Sequence, residues 1–175
     1  MKHVIIGVLL TLGVAACGGS SSPSEPTPTY VNAAGLWTGS QTLTSVTDGE
    51  CVGDAYRALQ LNHQIAFTLQ ISQNVGALTA VATATATGVT TNYTGTAAAS
   101  SFTLNVTPPV GVTISGFGCS DGQLRDLQLT AGTIMANVAG NSATGTFTFT
   151  YNVLLAGTQT SVGIMQLGGT TTITR

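Results

Sequence analysis

An all-β domain, an antiparallel up-and-down meander of about eight to ten strands, is the fold class that this sequence predicts. Three observations predict it. Beyond Gly35, apolar residues alternate with Thr, Ser and Gln at period two, the pattern of strands with one buried face. The helical period of an amphipathic helix is almost absent. Clusters of turn formers recur at short intervals between the alternating runs, and short turns join neighbouring strands as antiparallel hairpins.

Taken in order, the first strand is expected over 35–46, opening on Gly35-Leu36-Trp37. A loop follows, and Gly53 to Leu61 is the one stretch that could hold a helical turn. The strand over 62–73 contains the strict alternation Ile65-Ala66-Phe67-Thr68-Leu69-Gln70-Ile71 and ends at the turn Gln73-Asn74-Val75-Gly76. Over 77–87, Leu78, Ala80, Ala82, Ala84 and Ala86 fall on one face, and Thr79, Thr83, Thr85 and Thr87 on the other. Strands over 91–98 and 101–107 follow, the latter holding Phe102-Thr103-Leu104-Asn105-Val106 and stopped by Pro108-Pro109-Val110-Gly111. The remaining strands are expected over 111–117, 123–130, 133–139, 143–155 and 161–174. Gly140-Asn141-Ser142 turns the chain into Phe147-Thr148-Phe149-Thr150-Tyr151. A hairpin phrase repeats loosely in Ser72 to Thr79 and Val138 to Gly145, which favours a meander. Such a meander either closes into a barrel, which removes exposed edges, or stacks as a β-sandwich; the barrel is the reading adopted. Its alanine face leaves volume that is either filled by Trp37, Phe67, Phe147 and Phe149 or kept as an apolar pocket.

The chain begins differently. Lys2 is followed by an uncharged apolar run from Val4 to Ala16, too short for a permanent membrane span. The run ends in Val14-Ala15-Ala16-Cys17, which resembles the lipobox of bacterial lipoproteins. That resemblance implies a signal peptide over 1–16 and acylation of Cys17, with two or three chains holding the protein on a membrane. Residues 17–30 then comprise the lipidated Cys and a Gly/Ser/Pro tether, GGSSSPSEPTPT over 18–29, with no apolar residue to pack. Residues 31–175 form a single domain. In the resembled family an Asp after the lipidated Cys signals inner-membrane retention; Gly18 stands here, which implies the outer membrane.

Lipidation of Cys17 leaves Cys51 and Cys119 as a pair in an oxidising compartment, where a disulfide is expected. Closing so long a loop would contribute about 4 kcal/mol in the chain-entropy model. A two-thiol metal site lacks the CxxC or His-rich spacing of zinc sites. No cofactor or metal is expected.

Gly35-Leu36-Trp37 is similar to the G-x-W signature of lipocalins, avidins and fatty-acid-binding proteins. In those barrels the Trp plugs the closed end under a basic residue from near the last strand. The resemblance implies a lipocalin-like barrel with Trp37 and Arg175 as the closing pair. An integral outer-membrane barrel is disfavoured, because the strands lack aromatic girdles and the chain ends in Arg175.

The mature chain has only Arg57, Arg125 and Arg175 against six acidic residues, which argues against nucleic acid as a partner. It has one histidine, His63, and no nucleophile elbow or HExxH motif, so no enzyme activity is expected. A hydrolase would need His63 beside a carboxylate or hydroxyl in a cleft. If Cys51 and Cys119 pair, Asp48, Glu50, Asp54, Asp121 and Asp126 gather at one rim. That rim could bind a calcium ion or polar ligand, or be solvated and paired with Arg57 and Arg125. The function expected is noncatalytic: a membrane-anchored barrel binding a small apolar or amphipathic molecule, with a structural or assembly-adaptor role as the alternative.

Overall fold

The computed structural model describes residues 29–48, 51, 53, 60–107 and 112–175. Cys17, the signal segment and nearly all of the tether lie outside the described residues, as does most of the stretch from Gly53 to Leu61. The strands are β1 (Gly35–Asp48), β2 (Gln64–Asn74), β3 (Ala77–Ala84), β4 (Thr90–Ala97), β5 (Ser101–Val106), β6 (Thr113–Gly118), β7 (Leu124–Ala139), β8 (Ser142–Leu155) and β9 (Ser161–Thr174). All pairings are antiparallel and the order is β5-β4-β3-β2-β1-β9-β8-β7-β6, with β5 also paired to β7. That last pairing closes eight strands into a barrel, with β6 as the extra strand. One sheet curls onto itself, so the architecture is the barrel and not the sandwich.

The expected strands over 123–130 and 133–139 are one strand, β7, whose register to β8 shifts between Leu129 and Ala131. The Thr130 hydroxyl donates to the Thr150 carbonyl at 3.0 Å across this bulge. Gly132, in the gap between those two expected strands, makes room for a ring: a Cβ there would overlap Phe149.

β5 and β6 lie end to end against the same edge of β7. Ser101 to Asn105 face Asn137 to Thr133, and Thr113 to Gly118 face Gln128 to Leu124. Together they cover one edge of β7 as a single barrel strand would. In sequence they are separated by Pro108 and Pro109, which have no N–H to give a ladder.

The wall is uneven in height. β1, β7, β8 and β9 run 14 to 16 residues, whereas β2 to β5 run 6 to 11. At one end, Trp37, Leu69, Ile71, Phe102, Leu104, Ile134 and Ile173 are all at most 1 % exposed and fill the interior. Burying each such side chain contributes about 1.5 to 3 kcal/mol before entropy is counted. The other end carries the edges of the tall wall.

Candidate functional site

At the filled end, the Arg175 guanidinium lies over the Trp37 ring at 4.4 Å. It also donates to the Ala34 and Gly140 carbonyls at 3.1 Å each, while the Arg175 backbone N–H reaches the Asn141 carbonyl at 2.9 Å. The Trp37 indole N–H donates to the Ala33 carbonyl at 2.8 Å. The segment before β1 therefore straps across this end of the barrel.

Gln73, which the sequence reading did not single out, fastens the strap. Its carbonyl accepts from the Ala33 N–H at 2.8 Å, and its amide donates to the Val31 and Val75 carbonyls at 3.0 and 2.7 Å. The signal was faint: a glutamine at a strand end is ordinary, and the strap it serves is 42 residues away.

At the opposite end, Cys51 and Cys119 form a disulfide, and both are buried. The Ser120 N–H donates to the Cys51 carbonyl at 2.7 Å, and the Gly53 N–H donates to the Ser120 hydroxyl at 2.8 Å. Beyond Leu43, β1 pairs only with β9, and β6 pairs only with β7 among the described residues. These are the two edges of the tall wall, and the disulfide joins them just past Asp48 and Gly118.

The acidic residues named for the rim have separate tasks. Asp126 is buried, accepting from the Gly116 N–H at 3.1 Å and the Gly157 N–H at 2.8 Å through its two oxygens. The Gly157 bond first, then the Gly116 bond, holds its carboxyl below the usual carboxylate range. It is a staple between β6 and the β8–β9 turn. Asp121 accepts from the Gln123 N–H at 2.9 Å and pairs with Arg125 at 3.0 Å. Asp48 is the last residue of β1, and Glu50, Asp54 and Arg57 lie outside the described residues. Among the described residues, no three His, Cys, Asp or Glu groups are placed to hold a metal ion. His63 is exposed at the entry to β2, its carbonyl accepting from the Leu43 N–H at 3.0 Å.

The interior at the disulfide end has a different character from the Trp37 end. Cross-strand partners share a face, so Ile65, paired with Gln41, and Ile114, paired with Leu127, both point inward. Even so, they are 37 % and 42 % exposed. Ala82, Ala84, Thr91 and Val106, which share the inner face with Leu69, Phe67 and Tyr93, are also only partly buried. The short wall thus ends in an accessible, mainly apolar lip.

No protein-family model matches this chain, and no curated protein is similar to it. What the site can do must come from its own residues.

Below the lip, four polar side chains face the interior and are more than nine-tenths buried: Gln41, Tyr93, Tyr151 and Thr171. Gln41 and Thr171 are direct partners in the β1–β9 ladder. The Thr171 hydroxyl is wholly buried and has no hydrogen-bond partner. Burial raises the Tyr151 hydroxyl to about 12. Burial, and then the nearness of Tyr151, pushes Tyr93 up as well. Both phenols therefore stay neutral hydrogen-bonding groups at physiological pH.

Two shallow depressions, of about 220 and 370 Å³, lie on the barrel wall. Serines, threonines and exposed Met135 or Gln166 line them. Neither contains the buried polar set.

Proposed function

We propose that this protein is a lipid-anchored, noncatalytic envelope protein whose barrel binds a small apolar or amphipathic molecule through the open end. The observation that carries the reading is the accessible inner lip. Ile65, Ala82, Ala84, Val106 and Ile114 stand at inward positions of a closed barrel yet remain open to solvent, while the Trp37 end is sealed. A concave apolar surface with a few polar groups beneath it is the usual form of a small-molecule site.

Anchoring through Cys17 rests on the VAAC motif and the tether, and the outer membrane is the proposed location because Gly18 follows the cysteine. The strap leaves the barrel at its sealed end, so a tether from Cys17 would join the domain opposite the mouth.

The test is mass spectrometry of the protein extracted from its own envelope in nonionic detergent. The expected result is a chain beginning at Cys17 with added acyl mass, two hydrogens lost to the disulfide, and a retained noncovalent adduct. An unmodified chain still carrying residues 1–16 would refute the anchoring, and a protein bare of adduct would count against the ligand.

A further inference from the structure

We propose that the sealed end of the barrel docks on the surface of the membrane that holds the Cys17 lipid, through Tyr30, Leu36 and Val75, so that the mouth points away from the bilayer. Docking rests on the anchoring of Cys17 and adds which face of the domain meets the lipid.

The described chain enters the barrel at this end. The Tyr30 ring lies against Gly76, where a Cβ would overlap it, and the Val31 N–H donates to the Ala98 carbonyl at 2.7 Å. Beside these contacts the β2–β3 and β4–β5 turns present apolar tips: Val75 is 70 % exposed, and Ala98 and Ala99 are exposed as well. Leu36, 55 % exposed, stands on the outer wall at the start of β1, and Tyr30 is itself exposed. A tyrosine, with an apolar body and a hydroxyl tip, suits the boundary between head groups and acyl chains. Exposed Val and Leu side chains gain by leaving water for that boundary.

Charge divides the two ends. Among the described residues, Asp48, Asp121 and Asp126 all lie at the mouth end, together with His63 and Arg125. The sealed end holds no described Asp or Glu, and its one ionic side chain is Arg175. A carboxylate loses hydration when pressed against a bilayer, and anionic lipids repel it. The mouth is therefore the poorer face to lay on lipid.

Length points the same way. β1 has 14 residues; at about 3.3 Å per residue and a tilt of about 40°, the tall wall stands about 35 Å high. From Gly18 to Thr29 there are 12 residues, and the last of them is at the sealed end. Twelve residues reach about 40 Å at full extension, whereas a coil of that length averages about 20 Å. Turning the mouth onto the membrane would require the tether to run back along the wall almost fully stretched. With the sealed end down, no stretching is needed.

The test uses the full-length chain, extracted with its lipid and reconstituted in vesicles of phosphatidylethanolamine and phosphatidylglycerol that contain a lipid with a diazirine near its head group. Flotation reports anchoring, and irradiation followed by peptide mass spectrometry reports which residues touch lipid. Label over 29–36, 75–77 and 98–100 is expected at about tenfold or more the level over 63–65 and 113–118. The double variant Leu36→Asp, Val75→Asp changes two exposed positions, and aspartate tolerates the left-handed backbone at position 75. It is expected to float as the wild type does and to lose label at the sealed end by about tenfold. A chain that does not float removes the anchoring and the docking together. A chain that floats with label on the mouth, on the barrel wall or evenly over the domain leaves the anchoring standing and overturns the docking. A double variant labelled like the wild type overturns it too, since the tether alone would then set the contact.

Discussion

Replacing Cys51 and Cys119 together by alanine removes the disulfide that ties the two edges of the tall wall. The bridged residues are 68 apart, and in the chain-entropy relation a loop of that length takes roughly 15 cal/mol/K from the unfolded chain, or about 4 kcal/mol at 25 °C. Both sulfurs are buried, so truncation adds a packing loss of about 1 kcal/mol. The expected total of about 5 kcal/mol rivals the whole stability of many domains of this size. Urea unfolding of the oxidised protein and the double variant measures it. The variant's m value should rise, because an unfolded chain without the cross-link exposes more surface. Hydrogen exchange should quicken first over 44–48 and 113–118, where each strand has one neighbouring strand among the described residues. A loss below about 1 kcal/mol with unchanged m would refute the reasoning and assign the closure to the Ser120–Cys51 backbone contact.

Three other perturbations bear on the same framework. Arg175→Met keeps an apolar stem over Trp37 but removes the cation–π contact and two hydrogen bonds to carbonyls; a loss of about 2 kcal/mol in urea unfolding is expected, and under 0.5 would contradict it. Val75 sits at φ 55° in the two-residue β2–β3 turn and is 70 % exposed, so Val75→Gly should stabilise by about 1 kcal/mol, read as a higher urea midpoint. The folded-state pKa of Asp126 is depressed, so its contribution is present above the ordinary aspartate range and lost as pH falls through the folded value. Asp126→Asn should therefore lower Tm at pH 7, with the gap to wild type closing in acid; an equal gap at every pH would contradict the role given to its charge.

The strands were legible because a one-sided sheet forces alternation, and Phe67, Leu69, Ile71 and Phe102, Leu104 kept phase without interruption. Where a local signal had two physical causes, sequence could not choose. Gly132 interrupts the apolar alternation yet lies inside the strand against the Phe149 ring, so a strand of 16 residues reads as two. The pairing of β5 with β7 depends on register between distant segments, which has no local signature.

The mouth was partly legible. The alanine face of β3 announced small inner side chains, and Ala82 and Ala84 do line the accessible lip. Gln41 and Thr171 could have been found by phase, since each occupies an inward position in its own alternating run, Trp37-Gly39-Gln41-Leu43 and Gly169-Thr171-Ile173. The carboxylates drew attention because charge is rare in this chain. Rarity does not report whether a carboxylate is free: Asp121 is engaged within its own turn, and Asp126 ties β6 to the β8–β9 turn.

The most direct test of the ligand-binding account is a plug. Ala84→Trp puts a large ring on the inner lip without touching the Trp37 end, the disulfide or the strap. Wild type and variant are to be purified side by side from their own envelope and compared by native mass spectrometry. The account expects a small-molecule adduct on the wild type and its loss from a folded, oxidised variant. Equal adduct on both, or none on either, would contradict the claim that this barrel holds a ligand behind that lip.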